Sequence, residues 1–140
     1  MEYIRKENEI VVRLDKGEEL ISSLLTLAQK ENILTASITG LGASNKFMVG
    51  VLDLNTKEFK GKTYEGVYEI TNIVGNLTTK EDKPYLHLHA TFASLDTVVG
   101  GHLTEAYISA TAEIFIHVID LKVDRKFDSN TGLNLFKFNH

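Results

Sequence analysis

The stretch PYLHLHATF at residues 84–92 decides the fold class, because its polar and apolar side chains alternate strictly. In an extended strand successive side chains point to opposite faces of the sheet, with a period of two residues. One face of this strand is then apolar and the other is polar and carries two histidines. The apolar positions are Leu86, Leu88, Ala90 and Phe92. A strand of this kind covers a hydrophobic core with one face only, as in an antiparallel sheet.

The same alternation recurs in YISATAEIFIHVIDLKV at residues 107–123. It predicts an apolar face made of Ile108, Ala110, Ala112, Ile114 and Ile116. Shorter segments rich in β-branched and aromatic residues, separated by turns at Gly, Asn and Lys, predict further strands. These segments are residues 9–14, 33–42, 46–54, 59–67, 68–77 and 133–138.

One helix is predicted near the N-terminus, in DKGEELISSLLTLAQKENI at residues 15–33. Asp15 is the expected N-cap, with Glu18 three residues later as in a capping box. Apolar residues recur at helical spacing, which predicts one buried stripe. The predicted fold is therefore α+β: a single domain over residues 1–140 with a mostly antiparallel, sandwich-like sheet and one main helix.

The composition excludes several classes of site. The chain has 140 residues, no cysteine and a formal net charge of −4. Thiolate metal ligands and a cysteine nucleophile are therefore excluded, and attraction of the whole surface to a phosphate backbone is disfavoured. The first residues are too charged for a secretory signal, and no apolar run approaches the roughly 20 residues of a membrane span. We expect a cytoplasmic protein with no membrane partner.

Three histidines form the main candidate site. His87 and His89 share one strand face about 6.6 Å apart along the chain, a spacing from which two imidazoles can bind one metal ion. His102 follows Gly100-Gly101, where glycines allow a sharp turn and close backbone approach. A divalent metal such as zinc is one interpretation, and three unrelated polar residues on a surface is the other. His117 is expected to be packed and hydrogen-bonded, and His140 to be incidental.

Two glutamates are further candidates, because each lies among uncharged residues on a predicted strand. Glu113 follows ATA at 110–112, and Glu69 lies within GVYEIT at 66–71. Either one is a candidate fourth ligand, a hydrogen-bond partner of a histidine, or a general base for metal-bound water. The alternative is a solvated face or a surface ion pair.

Taken together, five segments resemble the PPC domain (plants and prokaryotes conserved domain) in identity and order. They are GEELISSLLTLAQKENI, ASITGLGA, GVYEITNIVGNL, PYLHLHATF and GGHL followed by ATAE, and the resemblance covers about residues 3–123. It implies an α+β sandwich and a homotrimer. In prokaryotic members it also implies a bound metal, usually zinc, at the positions that are His87, His89 and His102 here.

The resemblance leaves two functions open. Plant members carry a separate AT-hook, a short Arg-Gly-Arg-Pro segment that this chain lacks, so nucleic acid is a doubtful partner. The first hypothesis is a metal-dependent enzyme acting on an unknown small substrate, with Glu113 or Glu69 as general base. The second is a regulatory DNA- or protein-binding module in which the metal is structural and GVYEIT is a contact segment.

Overall fold

The computed structural model describes residues 1–138 and contains one helix and eight strands in that range. The elements in chain order are β1 (Glu2–Lys6), β2 (Glu9–Asp15), α1 (Leu20–Lys30), β3 (Ala36–Asp53), β4 (Glu58–Lys80), β5 (Lys83–Ala93), β6 (Val98–Val118), β7 (Asp124–Asp128) and β8 (Leu133–Lys137). The chain is therefore mostly β, as predicted, and its helix is short.

All eight strands belong to one hydrogen-bonded sheet. Its order is β1-β2-β6-β3-β4-β7-β8, and β5 pairs with both β4 and β6. The strands β3, β4, β5 and β6 thereby close into a ring, so the predicted sandwich is one sheet that closes on itself. The pairs are antiparallel except β4 with β7, which makes the sheet mixed.

The helix begins later than the sequence suggested. Its N-cap is Glu19, whose carboxylate accepts hydrogen bonds from the backbone N–H groups of Ile21 and Ser22. The prediction of Asp15 as N-cap is wrong, because Asp15 ends β2 and its N–H donates to the Glu18 carboxylate within a turn before the helix. The predicted apolar stripe is confirmed: its buried residues are Leu20, Leu24, Leu27 and Ala28.

The core lies under α1 and inside the ring of strands. Phe47 and Phe92 stack at its centre, with ring centroids 3.6 Å apart. The predicted alternation of β5 is confirmed, since Leu88, Ala90 and Phe92 are buried and His89 is exposed. This alternation places the His87 and His89 side chains on the outside of the ring.

The alternation of β6 breaks at one residue. Ala110 was predicted to be buried with Ile108 and Ala112, but it is exposed. Between Gly42 and Ser44 the β3–β6 register shifts, so that the segment from Ile108 to Ala112 faces only this short stretch of β3. Four residues of β6 thus span two residues of β3, and the two extra residues form a bulge in which Ala110 points away from the core, while Ala112 returns to the buried face. No helix within residues 1–138 is both long and apolar enough to cross a membrane.

Candidate metal centre

The register of β5 and β6 brings the three histidines together. His89 and His102 are directly opposite each other in the antiparallel β5–β6 pair. Side chains directly opposite in such a pair start about 4.5–5.5 Å apart at Cβ. His87 lies two residues earlier on β5 and therefore on the same face as His89. The fold, and not the sequence spacing alone, makes the three rings neighbours.

Two glycines allow this close arrangement. A Cβ at Gly101, next to His102, would lie 2.5 Å from the backbone O of Gly50 on β3. A Cβ at Gly75 would lie 2.0 Å from the backbone O of His87. The expected close approach at Gly-Gly-His is therefore found, although these residues belong to β6 and do not form a turn.

The geometry of the cluster fits a metal ion of moderate size. One ligand nitrogen from each ring lies within 4.8 Å of the others, and the ring centroids are 5.1–5.7 Å apart. Tetrahedral zinc with bonds of 2.0–2.1 Å would place its nitrogen ligands about 3.4 Å apart. Small rotations of the side chains close that difference. None of the three rings makes a hydrogen bond to another described residue, so their nitrogens are available as ligands.

The surroundings favour the neutral form of the rings, which is the form that binds metals. Burial, together with the charges of His102, Arg125 and His89, lowers the pKa of His87 to about 4. Burial and the charge of His89 also lower the pKa of His102. His87 and His102 are thus ready to act as ligands at neutral pH.

The histidines line a cleft of about 670 Å³ on the outside of the ring. Its walls are largely apolar, and the ring of Phe59 makes an edge contact with His102 at a centroid distance of 5.6 Å. The lining residues are Gly50, Val51, Leu52, Phe59, Tyr85, His87, His89, Gly101, His102, Gly132, Leu133 and Asn134. An apolar cleft with a few convergent polar groups is the usual form of a small-molecule site.

Arg125 lies behind this cleft, and sequence reasoning did not find it. Its guanidinium is stacked between the rings of Tyr85 and Phe136, 4.8 and 4.5 Å from their centroids. It donates hydrogen bonds to the Asn76 Oδ1 atom at 2.8 Å and to the backbone O of Asn134 at 2.7 Å. Tyr85 could have been found by its parity with His87, but nothing in the sequence places Arg125 beside them.

The two candidate glutamates are not part of this cleft. Glu113 is exposed and lies eleven residues after His102 on β6; the residues they pair with on β3, Leu41 and Gly50, are nine residues apart, which is roughly 30 Å of strand. Glu69 is exposed and pairs with Ala93, four residues beyond His89 on β5. Within one subunit neither carboxylate meets the histidines. A role as general base remains a prediction that requires a neighbouring subunit to bring one of them to the cleft.

His117 is separate from the cluster. The Nδ1 atom of His117 lies 2.6 Å from the Glu9 carboxylate, and its side chain is 55% exposed. It is hydrogen-bonded as expected but not packed. His140 lies outside the described residues.

Comparison with known proteins identifies the family and the fold. The model of the Plants and Prokaryotes Conserved (PCC) domain matches residues 1–120. The fold resembles that of a "putative DNA-binding protein" from Bacteroides thetaiotaomicron, with 28% identity, a TM-score of 0.94, and coverage of 98% of this chain and 96% of the other. No curated protein matches the chain closely enough to add to this comparison.

Two archaeal structures are also similar over nearly their whole length. A protein from Archaeoglobus fulgidus described as metal-containing is 28% identical, with a TM-score of 0.88 and coverage of 98% of this chain and 97% of that one. A plant- and prokaryote-conserved (PPC) protein from Pyrococcus horikoshii is 30% identical, with a TM-score of 0.86 and coverage of 99% and 95%. The family match and the shared fold agree with the motifs in the sequence: the chain belongs to the PCC family, named PPC above.

Proposed function

We propose that this protein is a homotrimeric metalloprotein that binds one divalent ion, zinc, through His87, His89 and His102 and acts on a small molecule in the adjoining cleft. The observation that carries the proposal is the convergence of three imidazoles in the lining of a largely apolar cleft. Three nitrogen ligands leave a fourth tetrahedral position open, as in catalytic zinc sites. The metal-containing relative from Archaeoglobus fulgidus adds support.

The residues of the chain have distinct tasks in this proposal. The histidines hold the ion, which supplies Lewis-acid polarisation of a bound oxygen. Phe59, Leu52 and Leu133 keep water from the ligand and contact its apolar part. The Tyr85 hydroxyl accepts a hydrogen bond from the Asn134 side chain, and its own proton has no acceptor among residues 1–138. That proton is available for donation to a bound ligand.

The proposal of a trimer is supported by a row of exposed side chains across five strands, here called the exposed row. It consists of Ile4, Val11, Phe115, Thr39 and Val74. Each is paired with the next in register, and Val74 is paired in turn with His89. Four of its five residues are apolar, and a largely apolar exposed surface of this kind is typical of an interface. A neighbouring subunit on this row would reach the rim of the metal site.

An arginine in the exposed row tests the assembly. We expect Phe115→Arg to convert the trimer to monomers in sedimentation velocity runs, because it places a charge in an apolar interface. Phe127→Arg is the matched control, since both phenylalanines are 59% exposed and Phe127 lies on β7, outside the row. A wild-type protein that sediments as a monomer would remove the trimer from the proposal.

The second candidate is a regulatory DNA- or protein-binding module with a structural metal. It is favoured by the description of the relative from Bacteroides thetaiotaomicron as a "putative DNA-binding protein". The segment GVYEIT is a candidate contact, and Val67 within it is fully exposed. The net charge of −4 and the absence of an AT-hook weigh against DNA.

Chelation separates the two candidates. A closed structural site stabilises the fold, so removing the metal would lower the melting temperature strongly and leave no position for an added ligand. An open site would lose little stability and, when loaded with Co²⁺, would change its visible spectrum on addition of small ligands. Binding to A·T-rich duplexes at 150 mM salt, with no spectral response to small ligands, would favour the second candidate.

A further inference from the structure

The C-terminal hairpin formed by β7 and β8 is a wall of the histidine cleft. The family match ends at residue 120, so it does not account for this hairpin. The hairpin contributes Gly132, Leu133 and Asn134 to the cleft. Its turn is fixed to the β3–β4 hairpin by a hydrogen bond from Lys57 Nζ to the backbone O of Ser129 at 2.5 Å. The hairpin thus decides the shape of the cleft opposite the histidines.

The hairpin also brings a buried positive charge to the site. Arg125 is 9% exposed, and its three hydrogen bonds go to neutral oxygen atoms, on Thr78, Asn76 and Asn134. Within residues 1–138 no carboxylate forms an ion pair with it. Buried charges in proteins are usually paired, so an unpaired guanidinium one side chain behind a cleft is an unusual arrangement.

The cleft itself contains no negative charge to compensate. None of its lining residues is an Asp or a Glu. Imidazole ligands add no negative charge to a divalent ion, so the loaded site would keep a charge of about +2, with Arg125 behind it. The Tyr85 hydroxyl adds a hydrogen-bond donor on the same wall. A positive, partly desolvated cleft with a free donor favours an anionic ligand group.

The remaining walls require a ligand with an apolar part. Val51, Leu52 and Phe59 come from the β3–β4 hairpin, and Leu133 faces the same cleft from β8. Covering these side chains with an aliphatic group removes apolar area from water, which contributes roughly 25 cal/mol per Å².

We infer that the β7–β8 hairpin makes the histidine cleft selective for small molecules that join a carboxylate to an aliphatic body, and that Arg125 supplies the attraction for the carboxylate from behind the cleft wall. This inference rests on the proposed function and specifies its substrate class. Arg125 does not touch the ligand, because Tyr85 and Asn134 lie between it and the cleft. It is a positioning residue that acts on the ligand through its positive charge. At an effective dielectric constant of about 20, a unit charge roughly 8 Å from the ligand group changes affinity by roughly 30-fold, and screening by salt lowers this effect toward tenfold.

The test compares isovalerate with its neutral analogue isovaleramide. Both are titrated into the Co²⁺-loaded protein and followed by the visible spectrum of the ion, and into the metal-free protein by calorimetry. We expect isovalerate to bind the loaded protein at least tenfold more tightly than the amide. Equal affinities would overturn the inference.

Two pairs of variants locate the source of the preference. Leu133→Asp puts a carboxylate in the cleft wall, and Leu135→Asp is its matched control, with similar exposure on the same strand but outside the cleft. We expect only Leu133→Asp to lose its affinity for isovalerate, and we expect both variants to bind Co²⁺. We expect Arg125→Met to weaken isovalerate binding about tenfold and Arg125→Lys to retain most of it, because lysine keeps the charge.

Equal loss in the two leucine variants, or unchanged affinity in Arg125→Met, would overturn the role of the hairpin. If Arg125→Met does not fold, the leucine pair still decides the matter. If the wild type binds no Co²⁺, the proposed function fails by itself. The calorimetric comparison on the metal-free protein then decides the inference, which is overturned if isovalerate shows no preference over the amide.

Discussion

Replacing Gly75 by alanine should separate β4 from β5 beside His87. The added Cβ would lie 2.0 Å from the backbone O of His87 and 2.9 Å from the Cα of Leu88, where ordinary contacts begin at 3.4 Å. Both neighbours are backbone atoms of a paired strand, so no flexible side chain can move away. Relief requires β5 to shift by about 1.4 Å, which stretches ladder hydrogen bonds beyond their usual 2.7–3.2 Å.

The expected loss in the free energy of unfolding is about 3 kcal/mol. Overpacking in a well-packed region costs typically 1–3 kcal/mol, and each lost hydrogen bond adds roughly 0.5–1.5 kcal/mol. For a domain of this size that corresponds to a fall in melting temperature of roughly 9 °C. Because β5 carries His87 and His89, the affinity for Zn²⁺ should fall as well.

Thermal melts and competition with a chromophoric chelator measure the two effects, at one fixed subunit concentration since assembly also affects stability. Gly100→Ala is the control: it lies on β6 near the same site, and its nearest contact, the backbone O of Ala90, would be at 3.0 Å. We expect it to cost about 1 kcal/mol or less. If Gly75→Ala melts like Gly100→Ala and binds zinc like the wild type, the close approach at Gly75 does not set the position of β5.

Two further predictions concern the cap of the helix and the loss of folding stability at low pH. Removing the observed cap with Glu19→Ala should lower the free energy of unfolding by about 1–2 kcal/mol, measured by urea denaturation, whereas Asp15→Ala should cost about 1 kcal/mol or less, as for an exposed ion pair. Hydrogen bonds from Tyr3 and from Arg5 lower the pKa of Glu31. The ionised Glu31 carboxylate therefore stabilises the fold fully above the pKa that Glu31 has in the unfolded chain. This stabilisation is lost as the pH falls through the lower pKa that Glu31 has in the folded protein. In the metal-free protein, Glu31→Gln should reduce the loss of stability that occurs below about pH 4.5. The control variant Glu58→Gln should follow the wild type, because the Glu58 carboxylate has no partner within residues 1–138. A pH profile of Glu31→Gln that runs parallel to that of the wild type would refute this prediction.

The part of the site predicted from sequence is the part that depends on strand periodicity. His87 and His89 share a face because no bulge interrupts β5 between them, so a period of two holds. The same rule misplaced Ala110, because the register shift between β3 and β6 adds residues that alternation cannot detect. Gly40 and Gly42, at the end of the predicted segment 33–42, lie within the much longer strand β3, where the neighbouring strand comes close.

Contacts between distant parts of the chain could not be predicted from the periodicity of the sequence. Arg125 and Asn134 reach the cleft only because β7 pairs with β4 and carries β8 with it. Parity correctly put Glu113 on the exposed face of its strand, but it gives no distance along the strand, and that distance separates Glu113 from His102. The cap moved from Asp15 to Glu19 because Glu19 also accepts a hydrogen bond from the backbone of Ala106, which ties the start of α1 to β6.

The most direct test of the central claim is the metal content of the purified, tag-free protein, measured by elemental mass spectrometry without added metal. We expect one divalent ion, zinc, per subunit in the wild type. We expect none in the His87→Ala/His89→Ala variant and an unchanged content in His117→Ala, because His117 is hydrogen-bonded to Glu9 away from the cleft. A wild type without stoichiometric metal, or a double variant that retains it, would contradict the three-histidine site.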